Sequence, residues 1–347
     1  MANPMKQKVL PLLLVALAAA LPFLAPTYYV QFSTRVFLLG LLAMSLNLVV
    51  GFGGLVSMCH AAFFGLAGYA LALASPQSGP ASLWLTLPLA VGVAALAALA
   101  IGGLSLRTRG IYFIMVTLAF GEMLFFLFHD TQIAGGSDGA YIYFKPEVAI
   151  AGVPLIDLEN PRTFYWVALG LLVVFVMLLK ALTNSAFGHA LVAARNNERR
   201  ARSLGFPIFR IRLTAFVISG ALAGIAGYFA AAQYGFVAPQ LLGWHLSATI
   251  LVMVVLGGMR TVMGPLIGAI VLLGLEEILK ALTEHWKLIE GLIIIAIVLV
   301  LPGGVQDLAD RAFGLASRRE PEPRAQPETP AARPGEPAAA APEPEHA

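Results

Sequence analysis

The sequence predicts an all-α integral membrane protein with about ten transmembrane helices, on the evidence of its composition and its apolar runs. Of its 347 residues, 59% are hydrophobic and only 12% are charged, whereas an ordinary soluble domain has about 25% charged residues. A single soluble core could not bury so much apolar surface. The apolar runs recur along the chain, and many approach the length of about 20 residues that a helix needs to cross a bilayer.

Ten apolar segments are candidate spans, and weakness in the third, eighth and tenth leaves a count of eight to ten. Gly51, Gly53 and Gly54 precede the third segment and predict a broken or re-entrant helix near residues 51–60. Lys6 and Lys8 ahead of the first segment also fit a cleavable signal peptide, but we favour an uncleaved span because further spans follow at once. The candidate spans are 9–25, 32–50, 55–74, 83–104, 111–128, 163–182, 213–232, 246–263, 264–282 and 288–302.

The placement of basic residues predicts that both termini are cytoplasmic. Lysine and arginine accumulate in cytoplasmic loops, and an N-in, C-in arrangement puts most of the 22 basic residues inside. Residues 129–162 then lie outside, and the arginine-rich segment 183–212 lies inside. We expect a transmembrane domain over 1–303, followed by a cytoplasmic tail over 304–347. This tail is rich in proline, alanine and glutamate, and such segments are largely disordered because they bury too little apolar surface.

Several functional classes lack their sequence signatures. A P-loop needs a glycine–lysine pair, and none of the six lysines follows a glycine. The six histidines show no metal-binding spacing, and a single cysteine excludes an internal disulfide. A net charge of +3 is too small to indicate nucleic acid binding. We therefore expect no metal and no cofactor bound by the chain itself.

One segment resembles a catalytic motif but lacks its context. The outer loop matches the nucleophile-elbow pattern G-x-S-x-G, which requires a preceding strand and a following helix. Here the pattern follows a predicted membrane helix, so we expect a flexible turn that shapes the outer mouth. Its residues are Gly135, Gly136, Ser137, Asp138 and Gly139.

Polar residues within the predicted spans are candidates for a translocation path. Glu122 lies inside a span, where ionisable residues are costly and often functional. It fits a ligand contact and, equally, a carboxylate hydrogen-bonded within the bundle. Asn47, Ser57 and His60 flank the predicted break. They fit either a path element, because irregular backbone at membrane depth needs protein or a water-filled cavity, or simple capping by His60 at the membrane surface.

The cytoplasmic segment 185–205 predicts a short helix along the inner surface. It contains helix-favouring residues and ends at Gly205, a typical helix stop. A weak apolar stripe consists of Leu191, Ala194, Ala201 and Leu204. Such a helix fits binding to anionic lipid through its arginines or docking of a cytoplasmic partner that supplies energy.

Five sequence blocks together resemble the LivM-type permease of ATP-binding-cassette importers for branched-chain amino acids, over nearly all of residues 35–305. They are the glycine-rich block 51–65, residues 109–122, Gly135–Gly139, the inner segment 185–205 and the block 253–265. The family usually has glycine where this chain has Cys59 and Arg260. The resemblance implies that an inner helix around 190–205 fits a cleft of an ATPase subunit. That coupling helix would comprise Ala194, Arg195, Asn196, Asn197, Glu198, Arg199, Arg200, Ala201, Leu204 and Gly205.

The resemblance also implies partners, location and cargo. The partners would be a LivH-like second permease subunit, two cytoplasmic ATPase subunits that bind the ATP, and a periplasmic or extracellular solute-binding protein. The location would be the bacterial inner membrane, with membrane lipid around the spans. Branched-chain or other hydrophobic amino acids would be the cargo, and related permeases carry urea, short amides and other amino acids. The candidate path is Asn47, Ser57, His60, Thr117 and Glu122.

Two other classes stay as alternatives. A self-sufficient secondary transporter would need an ion site, for which Glu122 is the candidate. A membrane-embedded enzyme would need a nucleophile or a metal, and the sequence shows no complete set of residues for either.

Overall fold

The computed structural model describes residues 18–23, 25–150, 153–259, 261–300 and 304–305 as a bundle of helices. Residues 18–23 are helical. The longer α-helices that follow are α1 (Thr27–Asn47), α2 (His60–Ala74), α3 (Leu83–Ser105), α4 (Ile111–Asp130), α5 (Pro161–Thr183), α6 (Ala186–Asn196), α7 (Glu198–Ser203), α8 (Ile208–Tyr234), α9 (Trp244–Gly257), α10 (Gly264–Leu282) and α11 (Trp286–Val300).

In the described part of the chain, four short strands accompany the predicted helices. Strand β1 (Ala140–Tyr141) pairs antiparallel with β4 (Phe236–Val237), and β2 (Val148–Ile150) pairs antiparallel with β3 (Val153–Ile156). These pairs tie together loops at one end of the bundle, which we call the strand end. Helices α6 and α7 lie at the opposite end, which we call the arginine end.

Burial separates central helices from peripheral ones. In α1 and the turn that continues it, 89% of the most apolar window is buried, and the value for α8 is 78%. Only 17% of the corresponding window of α4 is buried. Apolar helices with so little burial need an apolar solvent around them. The fold therefore consists of a core of α1, α2 and α8 with more exposed helices around it.

Among the described residues, six helical segments are long and apolar enough to cross a membrane, and α2 is a shorter apolar helix. They confirm an all-helical membrane architecture but not the predicted count of about ten. The charges of α10 and the short length of α11 account for part of the difference between six segments and about ten. Helix α10 carries Glu276, Glu277 and Lys280, and α11 has only 15 residues. Most of the predicted first span, Arg260 and most of the 304–347 tail fall outside the described residues.

Close backbone contact joins the two central helices α2 and α8. A Cβ atom on Gly227 of α8 would collide with the Phe64 carbonyl of α2. Small residues allow such approach between helices in lipid, where close packing replaces the hydrophobic effect. Gly227 therefore sets the distance between α2 and α8.

We expect Gly227→Val to destabilise the bundle. Overpacking of a tight contact typically costs about 1–3 kcal/mol, and here the collision is with backbone, which cannot rotate away. The loss of stability is measured by heating the purified protein and recording how much monodisperse material remains at each temperature. Gly170→Val is the matched control because Gly170 faces open space in α5. Equal stability of the two variants would contradict this account of the packing.

Candidate functional site

The candidate site centres on a broken helix between α1 and α2. Helix α1 ends in a π-helical turn over Leu48–Phe52, and the chain then stays non-helical until His60. The turn keeps two of its carbonyls bonded, since Leu48 O accepts from Gly53 N at 3.1 Å and Val49 O accepts from Leu55 N at 3.0 Å. π-helical turns frequently occur at functional sites. The break lies where the glycines of the sequence predicted it.

Side chains from two other helices satisfy backbone amides of the break. Thr117 of α4 accepts from Met58 N at 3.2 Å, and Ser247 of α9 accepts from Ala61 N at 3.1 Å. Unpaired amides are costly in a membrane, so these hydroxyls stabilise the irregular chain. The sequence singled out Thr117 but not Ser247, because a lone serine in an apolar helix has no distinguishing pattern.

His60 joins the break to the core through a buried hydrogen-bond chain. Its Nδ1 lies 3.0 Å from Ser57 Oγ, and its Nε2 lies 2.7 Å from Ser219 Oγ on α8. Ser219 in turn donates to Ser45 O of α1 at 2.5 Å. A hydroxyl has one proton to donate, and Ser219 gives its proton to Ser45 O, so it accepts from His60 Nε2–H. His60 thus holds α1, the break and α8 together.

Four of the five predicted path residues are buried in this conformation. The side chains of Asn47, Ser57, His60 and Thr117 are all buried. Capping by His60 at the membrane surface does not fit, because His60 is fully enclosed by protein. Asn47 donates from Nδ2 to Thr261 O at 2.8 Å and so binds the loop between α9 and α10.

Glu122 forms a hydrogen bond within the bundle. Its Oε1 accepts from the amide of Trp244, the first residue of α9, at 2.9 Å. The positive end of the α9 dipole favours a carboxylate there. Glu122 is only partly buried. His245 and Thr249, which follow Trp244 in α9, are exposed. This contact fits the bundle interpretation of Glu122 and leaves the carboxylate accessible from outside the subunit.

The predicted inner helix is two helices with a sharp bend. Asn197 separates α6 from α7 in an extended conformation (φ −153°, ψ 96°), and its side chain accepts from Arg200 N at 2.9 Å. Asparagine competes with helix through such local bonds. Helix α7 ends in a Schellman motif, in which Gly205 N bonds Arg202 O and Phe206 N bonds Ala201 O. Gly205 therefore stops the helix as predicted.

Glu198 pairs with three arginines, and two of them anchor the α6–α7 pair to other elements of the bundle. Its Oε2 lies 3.0 Å from Arg212 of α8, and its Oε1 lies 3.0 Å from Arg109 and 2.9 Å from Arg202. Glu198 and Arg212 are mostly buried, with 23% and 16% of their side chains exposed, so this contact is less screened than the other two. The partners of Glu198 come from the α3–α4 loop, α7 and α8.

All residues of the predicted apolar stripe on the α6–α7 pair are buried except one. Leu191, Ala194 and Ala201 are buried, but Leu204 is 71% exposed, because the chain turns away from the bundle at Gly205. Arg199 and Arg200 are exposed as well. A cleft of about 840 Å³ is lined by Arg109, Asn196, Asn197, Glu198, Arg199, Arg202 and Ser203.

The glycine-rich outer loop has no elbow geometry. Gly136–Asp138 form a 3-10 turn that follows another turn and precedes strand β1, whereas an elbow lies between a strand and a helix. Ser137 Oγ contacts only its neighbour Asp138, at 3.3 Å, among the hydrogen bonds of the described residues. Gly139 packs against the carbonyl of Val237, so the loop is fixed to the end of α8 through β4.

The chain is similar to known proteins over most of its length. Residues 28–298 match the family described as "Branched-chain amino acid transport system / permease component". The LivM high-affinity branched-chain amino acid transport permease of Salmonella typhimurium is 33% identical over 322 residues, which cover 87% of this chain and 76% of that protein. The LivM protein of Escherichia coli is also 33% identical over the same shares.

A more distant relative carries a different name. The autoinducer 2 import system permease LsrC of Yersinia pseudotuberculosis is 33% identical over 175 residues, or 47% of this chain and 49% of that protein. No solved structure matches this chain. The extent of the family match, with a bundle of apolar helices around a broken helix, shows that the chain belongs to the permease components of branched-chain amino acid transport systems, which are inner-membrane permease subunits of ATP-binding-cassette importers.

Proposed function

We propose that this chain carries branched-chain or other hydrophobic amino acids across the inner membrane, with ATP bound and hydrolysed by partner subunits. The observation that carries the proposal is the 33% identity with LivM permeases over 87% of the chain. The second candidate cargo is another small solute, such as urea or a short amide. The likeness to a permease named for autoinducer 2 import supports keeping that candidate.

We propose about ten spans with both termini in the cytoplasm and the arginine end inside. Successive helices of the described residues run between the two ends, and basic residues concentrate at α6, α7 and the start of α8. This bias matches the rule that cytoplasmic loops are rich in lysine and arginine. The strand end then faces the solute-binding protein.

We propose that the translocation path runs along the face formed by α4, α9 and the break. Met115, Met123 and Phe126 of α4 are 52–64% exposed, and Glu122 lies on the same helix with a partly exposed carboxylate. A carboxylate facing lipid is costly, so protein or water should cover this face. A LivH-like second permease subunit would cover it and leave the path between the two subunits. Movement of the break would then bring Ser57 and Thr117 toward that path.

We propose that the α6–α7 pair docks into the ATPase. Leu204 and Arg199 project from it, while Glu198 ties it to α8. An apolar residue next to a cation is a suitable combination for a protein cleft. Because the pair is anchored, a push from the ATPase would move α8 rather than a loose loop. The two conformations that alternate access requires would differ by such movement.

Reconstitution tests the proposed function directly. In liposomes, the chain with a second permease, two ATPase subunits and a binding protein should take up leucine in an ATP-dependent manner, and the chain alone should take up none. Uptake of urea in place of leucine would support the second cargo. Uptake by the chain alone, driven by an ion gradient and lost in Glu122→Gln, would instead indicate a secondary transporter.

The docking proposal predicts that Arg199→Glu and Leu204→Ser each lower ATP-driven uptake by about tenfold, which corresponds to about 1.4 kcal/mol of lost interface energy. Thermal stability should not change, because both side chains are exposed. Arg162→Glu is the matched control, since Arg162 is an exposed arginine at the strand end. Wild-type uptake in both docking variants would exclude this surface as the ATPase contact.

The anchoring role of Glu198 predicts faster proteolysis of the α6–α7 pair in Glu198→Ala. The substitution removes the carboxylate partner of Arg212, so the α6–α7 pair should separate from α8 more often. A loss of about 1.4 kcal/mol raises the open population about tenfold, so trypsin should cleave near Arg199 and Arg200 about tenfold faster. The control is Glu284→Ala, an exposed acid at the strand end. Equal cleavage rates would contradict the anchor.

A further inference from the structure

One arginine of α6 reaches the broken helix. The Nη1 atom of Arg195 donates to the carbonyl of Gly51, 2.5 Å away, although the two residues are 144 positions apart in the chain. Gly51 is the fourth residue of the π-helical turn that ends α1. Carbonyls at the end of a helix lack intrahelical partners and carry partial negative charge. The guanidinium therefore binds the turn at its most favourable point for a cation.

The stem of the same arginine packs on the break as well. Gly54 has φ +68°, and its amide bonds Val50 O at 3.1 Å. A Cβ atom at Gly54 would lie 2.7 Å from Arg195 Cγ. Glycine is thus required at this position both by the backbone conformation and by the passage of the Arg195 stem. Two separate contacts, one polar and one steric, connect α6 to the break.

The other end of the α6–α7 pair is tied elsewhere. Glu198 lies three residues after Arg195 and bonds Arg212 of α8 at 3.0 Å. Arg195 therefore links the pair to the break, and Glu198 links it to α8. The surface that carries Arg199 and Leu204 lies on this doubly tied segment. A force on that surface would be divided between α8 and the break.

The break is also held from a third element, the α9–α10 loop. Asn47, at the start of the π-turn, bonds Thr261 O at 2.8 Å, and Gly51 packs against the carbonyl of Met259. The contact made by Arg195 is the one that comes from the α6–α7 pair. Its movement would change the position of the turn relative to a fixed loop.

We propose that Arg195 is a positioning residue that transmits movement of the α6–α7 pair to the break between α1 and α2. The proposal rests on the proposed function, because it assumes that an ATPase moves this pair. Transmission requires contiguous contacts, which Arg195 provides, and a second arrangement of the break, which the experiment below detects. It holds the turn in one position until the pair moves.

The chain contains a natural reporter for this movement. Cys59 is its single cysteine, lies in the break and is fully buried. Its Sγ lies 3.3 Å from Ser57 Oγ, next to the His60 chain. A buried thiol reacts with a maleimide only when the local structure opens. The rate of modification of Cys59 by N-ethylmaleimide therefore reports the opening of the break.

The test compares the wild-type importer complex with Arg195→Met, in which the apolar side chain keeps the packing on Gly54 but removes the donor. Partner subunits are prepared without reactive cysteines. In wild type, trapping the ATPases with ATP and vanadate should accelerate Cys59 modification about tenfold, because the charged hydrogen bond from Arg195 to the Gly51 carbonyl no longer holds the turn. In Arg195→Met the rate should be the same in both nucleotide states, and leucine uptake should fall while ATP hydrolysis continues.

Two further variants make the outcome specific. Arg210→Met removes an exposed arginine at the same end and should keep the full nucleotide response. Arg195→Lys, which can still donate to the Gly51 carbonyl, should recover part of it. The proposal is overturned if Arg195→Met responds to nucleotide as wild type does, or if the wild-type rate does not depend on nucleotide. Failure of the proposed function is distinct, because wild-type complexes would then show no ATP-driven uptake.

Discussion

Backbone amides and carbonyls at membrane depth must find partners within the protein, and this constraint governs how the broken helix is built. Lipid offers no hydrogen bonds, so an unpaired amide there costs several kcal/mol. The chain between Gly53 and Cys59 is non-helical, yet its neighbours supply the missing partners. Thr117, Ser247 and Arg195 each bond one backbone group of this region or its borders. Several separate elements thus meet at the break because each one satisfies part of it.

The polar groups of the centre divide into two sets with different surroundings. His60, Ser57, Ser219 and the Ser45 carbonyl form a closed chain in which each donor has one acceptor. Such a fully paired network fixes one arrangement of the core. Glu122, by contrast, is partly exposed and is bonded at one oxygen to the start of α9. The first set stabilises the subunit, and the second faces the surface where we place the second permease and the cargo.

Local features of this fold could be predicted from the sequence, but its long-range pairs could not. Gly51, Gly53 and Gly54 predicted the break, and Gly205 predicted the end of α7, because glycine acts on its own stretch of backbone. The contact of Asn47 with Thr261 spans 214 residues, and that of His60 with Ser219 spans 159. Apolar periodicity contains no information about which spans are neighbours. One local feature also escapes the sequence: it predicts a single inner helix with Leu204 in its apolar stripe, whereas Asn197 bonds Arg200 N and separates two helices, and Leu204 is exposed.

The length of α2 has a consequence for the barrier that a solute meets. Its 15 residues extend about 22 Å at 1.5 Å per residue, whereas the hydrocarbon layer is about 30 Å thick. Irregular chain fills the remaining depth on this side of the bundle. A regular helix resists bending because each turn reinforces the next, but an irregular stretch lacks that reinforcement. At the arginine end this part of the bundle therefore consists of irregular chain, and a small displacement there would open it without unwinding a helix.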